Sequence, residues 1–348
     1  MERPLKLPPK STEMYTLLTM KAMAQRSWRT GEPLELIELP NPEPRAGEVR
    51  IRVRSVGLNP ADCQLLLAPP LRVMGRIAGL APPVVLGLDF AGIIDAVGGS
   101  VSGFQPGDRV VGGASLARFI RGPRRWQGCF ADTVIAHPSQ ICRVPDAVDL
   151  DTAVGLAIPG VTARRSIIEI GHIRQVPPAD RRILVLGASG AVGQLAVQIG
   201  KLEGAFVAGV CSTKNLDLVT GLGADVALDY TTGDVLDQAQ EHGPYQVIID
   251  CADAYSRRRC LSMLSRRGRF VMVAMHNPLD AMVIALPPFR ARTILGTPTA
   301  TRLAPLLAAA EAGQLTVNIA QRLPLTSLQH AVELSESHRM TGKLILHP

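Results

Sequence analysis

The sequence predicts an α/β chain of two domains, a compact β-barrel followed by a doubly wound parallel sheet. Up to about residue 150, short apolar alternations are separated by glycine and proline turns. After Asp149 helices alternate with strands, the pattern of parallel winding. Within that half, residues 182–201 read as strand, small-residue turn and helix. Residues 183–186 are a continuous apolar run, as in a strand buried on both faces. Leu195, Ala196, Ile199 and Leu202 then recur at helical spacing.

A chain of 348 residues suggests two domains rather than one. Residues 1–19, with Pro4, Pro8 and Pro9 and little periodicity, read as an extension. Residues 20–150 make the barrel. There 34–39 alternates loosely, 40–47 is turn-rich, and 48–56 alternates strictly, with Val49, Ile51 and Val53 inward and Arg50, Arg52 and Arg54 outward. Gly57-Leu-Asn-Pro-Ala-Asp62, 84–94, 96–99 and 104–111 add short strands and turns. Residues 128–136 are a further strand, and 141–145 leads out of the domain. Residues 151–299 make the sheet domain, with a helix inside 150–170 and strands at 183–186, 205–210, 224–230, 246–251, 269–274 and 292–296. Residues 300–348 hold two amphipathic helices and a closing strand at 342–346, expected to return to the first domain.

At 47% hydrophobic but 4% aromatic, the chain packs with Ala, Val, Leu and Gly, which suits helices laid closely on parallel strands. The net charge of +7 includes three arginine clusters: Arg121, Arg124 and Arg125; Arg257, Arg258 and Arg259; Arg266, Arg267 and Arg269. A basic balance suits nucleic acid, a membrane surface, or an anionic cofactor and substrate carrier. The scarcity of aromatics for base stacking, and the lack of a nucleic-acid module, argue against nucleic acid. Solvated arginine faces are the alternative for most of these residues. The six cysteines form no CxxC pair. They read as reduced thiols of an intracellular, cytoplasmic chain. No apolar signal core and no window of membrane-spanning length is present, so no membrane partner is expected.

Ala188, Gly190 and Gly193 fall where a dinucleotide fold makes its turn. Small residues there let a pyrophosphate approach backbone N–H groups at the positive end of a helix. An ordinary tight connection is the alternative; the apolar strand that follows the helix favours the nucleotide reading. That strand ends at Cys211, about 20 residues beyond the turn, where an acidic residue would hold the ribose hydroxyls of NAD. Here the chain has Cys211-Ser-Thr-Lys214. No carboxylate repels a 2′-phosphate, and a hydroxyl and a lysine stand ready to bind one. The cofactor expected is NADPH. A solvated lysine at a helix start is the other reading of Lys214.

The motifs Gly57-Leu-Asn-Pro-Ala-Asp62, Gly87-Leu-Asp-Phe-Ala-Gly92, Pro106-Gly-Asp-Arg-Val110, Gly187-Ala-Ser-Gly-Ala-Val-Gly193, Leu222-Gly-Ala-Asp225 and Asp229-Tyr230 follow in order. In this the chain resembles the medium-chain dehydrogenase/reductase superfamily, from Met20 to Leu346. The resemblance implies a GroES-like barrel domain and a Rossmann domain. The sequence departs from the zinc alcohol dehydrogenases. Those place a zinc-binding Cys where Asn59 stands and Gly-His-Glu where Gly87-Leu88-Asp89 stands, and they carry a four-cysteine lobe where 110–127 has no cysteine. No metal is expected.

The zinc-free branch contains quinone oxidoreductases and enoyl reductases, and residues 82–165 look most similar to trans-acting enoyl reductases of fungal polyketide pathways. The resemblance implies NADPH-dependent reduction of an activated C=C bond in a small-molecule or carrier-bound unsaturated acyl substrate, with a polyketide synthase as partner. By position, Ala188, Ser189, Gly190, Ala191, Val192 and Gly193 would bind pyrophosphate. Ser212, Lys214 and Tyr230 would surround the 2′-phosphate. Asn59, Asp62 and Thr162 would lie near the nicotinamide, and Ala274, Met275, Leu295, Gly296 and Thr297 would border cofactor or substrate.

Asn59 and Thr162 are the candidate catalytic residues. Asn59 could donate to the enolate oxygen or the nicotinamide amide; a turn-capping Asn before Pro60 is its alternative. Asp62 could position the ribose or a proton-relay water, or cap a short helix. Thr162 could bond the nicotinamide, or be a helix Thr with a satisfied hydroxyl. Gln64 and Leu66 stand where similar quinone reductases tend to have Tyr and Arg. His276, after the fifth strand, would face the cleft or sit in a surface loop. A quinone oxidoreductase on the same fold, and a non-redox cyclase or NADPH-binding module, are the rival functions.

Overall fold

A computed structural model describes residues 19–27, 32–67, 82–113, 128–274, 290–294, 296–337 and 340–348. The barrel half holds β1 (Thr19–Gln25), β2 (Glu35–Pro40), β3 (Val49–Leu58), α1 (Pro60–Leu67), β4 (Val84–Val85), β5 (Asp89–Val97), β6 (Arg109–Gly113), β7 (Thr133–Ala136) and β8 (Ile141–Arg143). β3 is its axis. In the first half of that strand Val49, Ile51 and Val53 are buried while Arg52 and Arg54 are exposed. From Ser55 onward every residue is buried. There the strand leaves the surface and lies between β5 and the C-terminal strand.

After the barrel come α2 (Leu150–Arg164), β9 (Arg182–Leu186), α3 (Ala191–Leu202), β10 (Phe206–Cys211), α4 (Leu216–Gly221), β11 (Val226–Asp229), α5 (Val235–Gln240), β12 (Tyr245–Asp250), α6 (Arg257–Ser262), β13 (Leu264–Met272) and β14 (Ala291–Thr293). The tail adds α7 (Ala300–Glu311), β15 (Ile319–Pro324), α8 (Leu328–Glu336) and β16 (Lys343–His347). Asp149 caps α2 by accepting from the Thr152 N–H, and the helix runs on as a π-helical turn over Arg165–Ile170.

β9 to β14 form one parallel sheet in the order β11-β10-β9-β12-β13-β14. This is the Rossmann doubly wound order, in which the winding reverses at β9 and opens a crevice beyond the carboxyl ends of the strands. Ile183, Leu184, Val185 and Leu186 have no exposed surface, which is why that strand is apolar throughout.

The fifth strand starts earlier than the pattern at 269–274 suggests. A register shift opposite Tyr245 and Val247 lets polar residues 265–267 bulge out while the strand continues. The sixth is confined to Ala291–Thr293. β15 gave no alternation to read, because it is a half-exposed strand. It pairs with β16, and β16 pairs with β3 in the barrel sheet. Leu344 and Leu346 face the barrel core, while Ile345 faces the core shared by α2, α3 and the parallel sheet. β16 therefore stitches both halves together. Among the described residues no helix is long and apolar enough to cross a membrane.

Ile345→Ala removes a fully buried side chain at that seam. It is expected to lower stability by about 2–5 kcal/mol, read as a shift in the urea midpoint, with both halves of the molecule loosening together.

Candidate active site

β3 ends at Leu58 and α1 begins at Pro60, so Asn59 occupies the corner between strand and helix. Its side chain is the hub of a buried network. Asn59 is 3% exposed, Lys343 2%, and Asp62 and Asp89 are fully buried. The Lys343 Nζ donates to Asn59 Oδ1 at 2.6 Å and to the Leu58 carbonyl at 2.9 Å. Asn59 Nδ2 donates to Asp89 Oδ1 at 2.9 Å, Asp62 Oδ2 at 3.1 Å and the Gly57 carbonyl at 3.2 Å. The ammonium lies 4.0 Å from Asp89 Oδ2. Asp62 stands in the first turn of α1 and accepts the Asn59 backbone N–H at 2.9 Å, one half of a capping box. Its other oxygen, Oδ1, is buried without a partner.

The corner after β3, the start of β5 and the start of β16 deliver these four side chains from distant parts of the sequence. Gly57 makes the room. A Cβ there would sit 2.7 Å from Lys343 Cε and 2.9 Å from Asp89 Oδ1. Burying an ammonium or a carboxylate alone is prohibitive; here each has a partner. Burial pushes the Asp62 carboxyl up to about 7, helped by the nearby charge of Asp89 and opposed by Asn59 and Lys343. Burial raises Asp89 as well, against the pull of Lys343 and Asn59, and lowers Lys343 against the pull of both carboxylates. Oδ2 of Asp62 is engaged as an acceptor, and Oδ1 is not.

This geometry changes the reading of Asn59. Both amide hydrogens go to Asp89, Asp62 and Gly57, and the carbonyl oxygen goes to Lys343. In this structure the amide ties the corner together. Thr162 lies in α2 with its hydroxyl against Gly296; a Cβ on Gly296 would come within 2.0 Å of that oxygen. Thr297 is exposed, and Ala274 sits at the carboxyl end of the sheet, its N–H donating to the Asp250 carbonyl at 3.2 Å. Met275, Leu295, His276 and the cluster Arg121, Arg124 and Arg125 lie outside the described residues.

At the glycine turn, Gly193 is the close-approach residue. A Cβ on it would lie 2.1 Å from the Gly187 carbonyl oxygen. α3 starts after Gly190, which makes no side-chain cap, so among the described residues no capping side chain takes the first-turn N–H groups of Ala191, Val192 and Gly193. Asn215, buried, organises the surroundings. Its Nδ2 donates to Ser189 Oγ at 3.1 Å and Ser212 Oγ at 3.2 Å, and its Oδ1 accepts from Thr341 Oγ1 at 3.1 Å. The Gly342 N–H donates to the Ser189 carbonyl at 3.0 Å. The tail thus lies directly on the turn, one residue before Lys343.

Beyond Ser212, Lys214 is exposed, with no carboxylate bonded to it among the described residues. Tyr230, 51% exposed, is held beside it by its N–H to the Cys211 carbonyl at 3.1 Å. The neighbouring acid, Asp229, is engaged by Thr213 Oγ1 at 2.6 Å and Thr231 at 2.8 Å, and Thr213 above all holds its carboxyl below the ordinary range. An uncapped helix start and a turn that excludes Cβ atoms fit the pyrophosphate of a nicotinamide dinucleotide.

Two family models match the chain, the alcohol dehydrogenase GroES-like domain over residues 45–146 and the zinc-binding dehydrogenase domain over 222–346. The chain belongs to the medium-chain dehydrogenase/reductase superfamily. It is an oxidoreductase of that superfamily. Among its relatives, the chloroplastic quinone-oxidoreductase QR1 of Triphysaria versicolor is 29% identical over 90% of this chain and 94% of that protein. The trans-enoyl reductase tndF of Aspergillus flavipes is 33% identical over 60% of this chain and 59% of its own length. The quinone oxidoreductase of Coxiella burnetii superposes with a TM-score of 0.82 at 25% identity, covering 95% of this chain and 99% of that one.

The description of one of these family models names zinc. Among the described residues no group of three or more His, Cys, Asp and Glu side chains could hold a metal ion. Where the zinc enzymes put their ligands, this oxidoreductase has an amide, Leu88 and an aspartate already bound to that amide. Sequence reasoning missed the importance of Asp89, Lys343, Asn215 and Thr341. Lys343 had a signal, a charged residue opening an otherwise apolar closing strand. Asn215 and Thr341 had none, since their role is set by contacts across the fold.

A carboxyl at about 7 in the folded chain and 3.8 when exposed makes Asp62 a pH-dependent contributor. Its contribution is full below the unfolded value and is lost as the pH rises through the folded one. Asp62→Asn is expected to flatten the fall in Tm between about pH 4 and pH 8, by up to about 4 kcal/mol in stability. Lys343→Met leaves Asp89 and Asn59 uncompensated and is expected to lose about 3–5 kcal/mol. The double variant with Asp89→Asn should recover part of that in the same melts.

Proposed function

We propose that this oxidoreductase reduces a carbon–carbon double bond conjugated to a carbonyl, with NADPH and without zinc, as a trans-acting enoyl reductase of natural-product assembly. The observation that carries the reading is the buried amide–ammonium–carboxylate corner at the position of the zinc site, next to a turn suited to a 2′-phosphorylated dinucleotide. When bound, NADPH supplies the hydride for the β-carbon. The uncapped start of α3 holds its pyrophosphate, and Ser212, Lys214 and Tyr230 hold its 2′-phosphate. Thr162 and Gly296 border the nicotinamide end. Lys343 brings its amino group to the corner, and Asp62 a carboxyl pushed up to about 7, in a setting closed to water. The likeness to tndF supports the enoyl reductase role.

Reduction of a quinone, also a conjugated carbonyl, is the second reading. The near-full-length match to QR1 favours it, while Gln64 and Leu66 argue against it. A carrier protein gains no support from the described arginines. Arg257 and Arg259 are paired with Asp253, Asp234 and Asp237, and the third cluster lies at the far end of the sheet. All six cysteines are free, which supports a reducing compartment such as the cytoplasm.

The test is loss of NADPH absorbance with an enoyl thioester, a carrier-like enoyl mimic, a quinone and a simple enone. Faster turnover of the thioesters is expected. Faster turnover of the quinone favours the second reading, and tight NADPH binding with no oxidation of any member favours a non-redox role. Lys214→Ala is expected to weaken NADPH roughly tenfold or more and leave NADH unchanged, measured by fluorescence titration.

A further inference from the structure

The other end of the parallel sheet carries a second feature. At the amino ends of β9, β12 and β13 lies a cleft of about 660 Å³, with Arg182, Arg266, Arg267 and Arg269 in its wall beside His172 and Asp180. β9 separates it from the glycine turn by roughly 16 Å of strand. The volume falls within the range of small-molecule pockets, roughly 300–1,000 Å³.

The four guanidinium groups share one property, which contrasts with several other arginines of the molecule. Arg26, Arg50, Arg143, Arg174, Arg259 and Arg322 each hold a carboxylate. Among the described residues, Arg182, Arg266, Arg267 and Arg269 hold none. Arg182 is pinned by the His242 carbonyl at 3.1 Å and stacks over the Phe206 ring at 4.7 Å. Arg269 turns back to the carbonyls of Arg267 and Gly268 at 3.0 and 3.2 Å. Arg266 and Arg267 ride on the bulge of β13, exposed.

That bulge is fixed from beneath. Gln246, buried, donates to the carbonyls of Gly171 and Arg267 at 3.1 and 3.4 Å, and accepts from Ser265 Oγ at 2.9 Å. Arg290 bonds the Ser265 carbonyl behind it. Burial, and then the charge of Arg269, hold the Arg290 guanidinium below its ordinary range, so like charges already press on one another here. Asp180 is the single carboxylate in the cleft wall.

We propose that this cleft is a binding site for a phosphate-bearing small anion, separate from the cofactor turn. Several guanidinium groups lining one cavity are suited to the oxygens of a phosphate or diphosphate. A concave wall of this volume suits a small molecule rather than the convex face of an acidic protein.

The test is calorimetric titration of the full chain with inorganic pyrophosphate, in excess NADP⁺ to fill the glycine turn and at ionic strength fixed with NaCl. One equivalent is expected to bind. Arg266→Gln/Arg267→Gln, at exposed positions, should weaken it roughly tenfold or more, and Lys214→Ala should not. A nucleoside diphosphate binding tighter than pyrophosphate assigns the rest of the cavity to a nucleoside; equal binding assigns the site to the phosphates alone. Binding that NaCl reproduces, or that the arginine variant leaves unchanged, overturns the proposal. So does arginine-dependent binding of a glutamate-rich peptide when pyrophosphate fails to bind, which would make the cleft a protein-docking face.

Discussion

The ammonium of Lys343, buried between Asn59, Asp89 and the Leu58 carbonyl, is the constraint on which the rest of the structure turns. A charge without water must be met by fixed dipoles and an opposite charge, and those come from β3, β5 and β16. Meeting them sets where the last strand enters the barrel sheet. It also makes Gly57 obligatory, because a side chain there would occupy the ammonium's space.

The same strand couples the two halves of the molecule. The residues just before Lys343 rest on the glycine turn through Ser189 and Asn215. The residues after it alternate between the two cores. Further along, Asp151 at the start of α2 accepts from Ser55 and His347 and pairs with Arg322, a second tie between barrel, interdomain helix and tail. The dinucleotide turn and the buried corner are therefore held in one frame, as a reaction that depends on placing a donor against an acceptor requires.

This frame suits a site that shows no familiar catalytic pair among the described residues. In a hydride transfer the hard chemistry belongs to the cofactor, and the protein contributes position, exclusion of water and local charge. The corner supplies charge that titrates near neutrality without contact with solvent. The far end of the sheet, by contrast, gathers four arginines beside the single carboxylate of Asp180, so the two ends of one sheet differ in electrostatic character.

The sequence by itself determined the fold class, because apolar runs, glycine turns and helical spacing are local signals. It also showed the strand–turn–helix around Gly190, the lack of an acid at Cys211 and the departure from zinc ligands at Asn59 and Leu88. Only the tertiary structure decided what Asn59 does, since an amide's partners come from residues 30 and 284 positions away. It likewise decided that the bulge of β13 turns three arginines into one wall of a cleft. Such roles depend on which distant elements meet, and local periodicity carries no record of that.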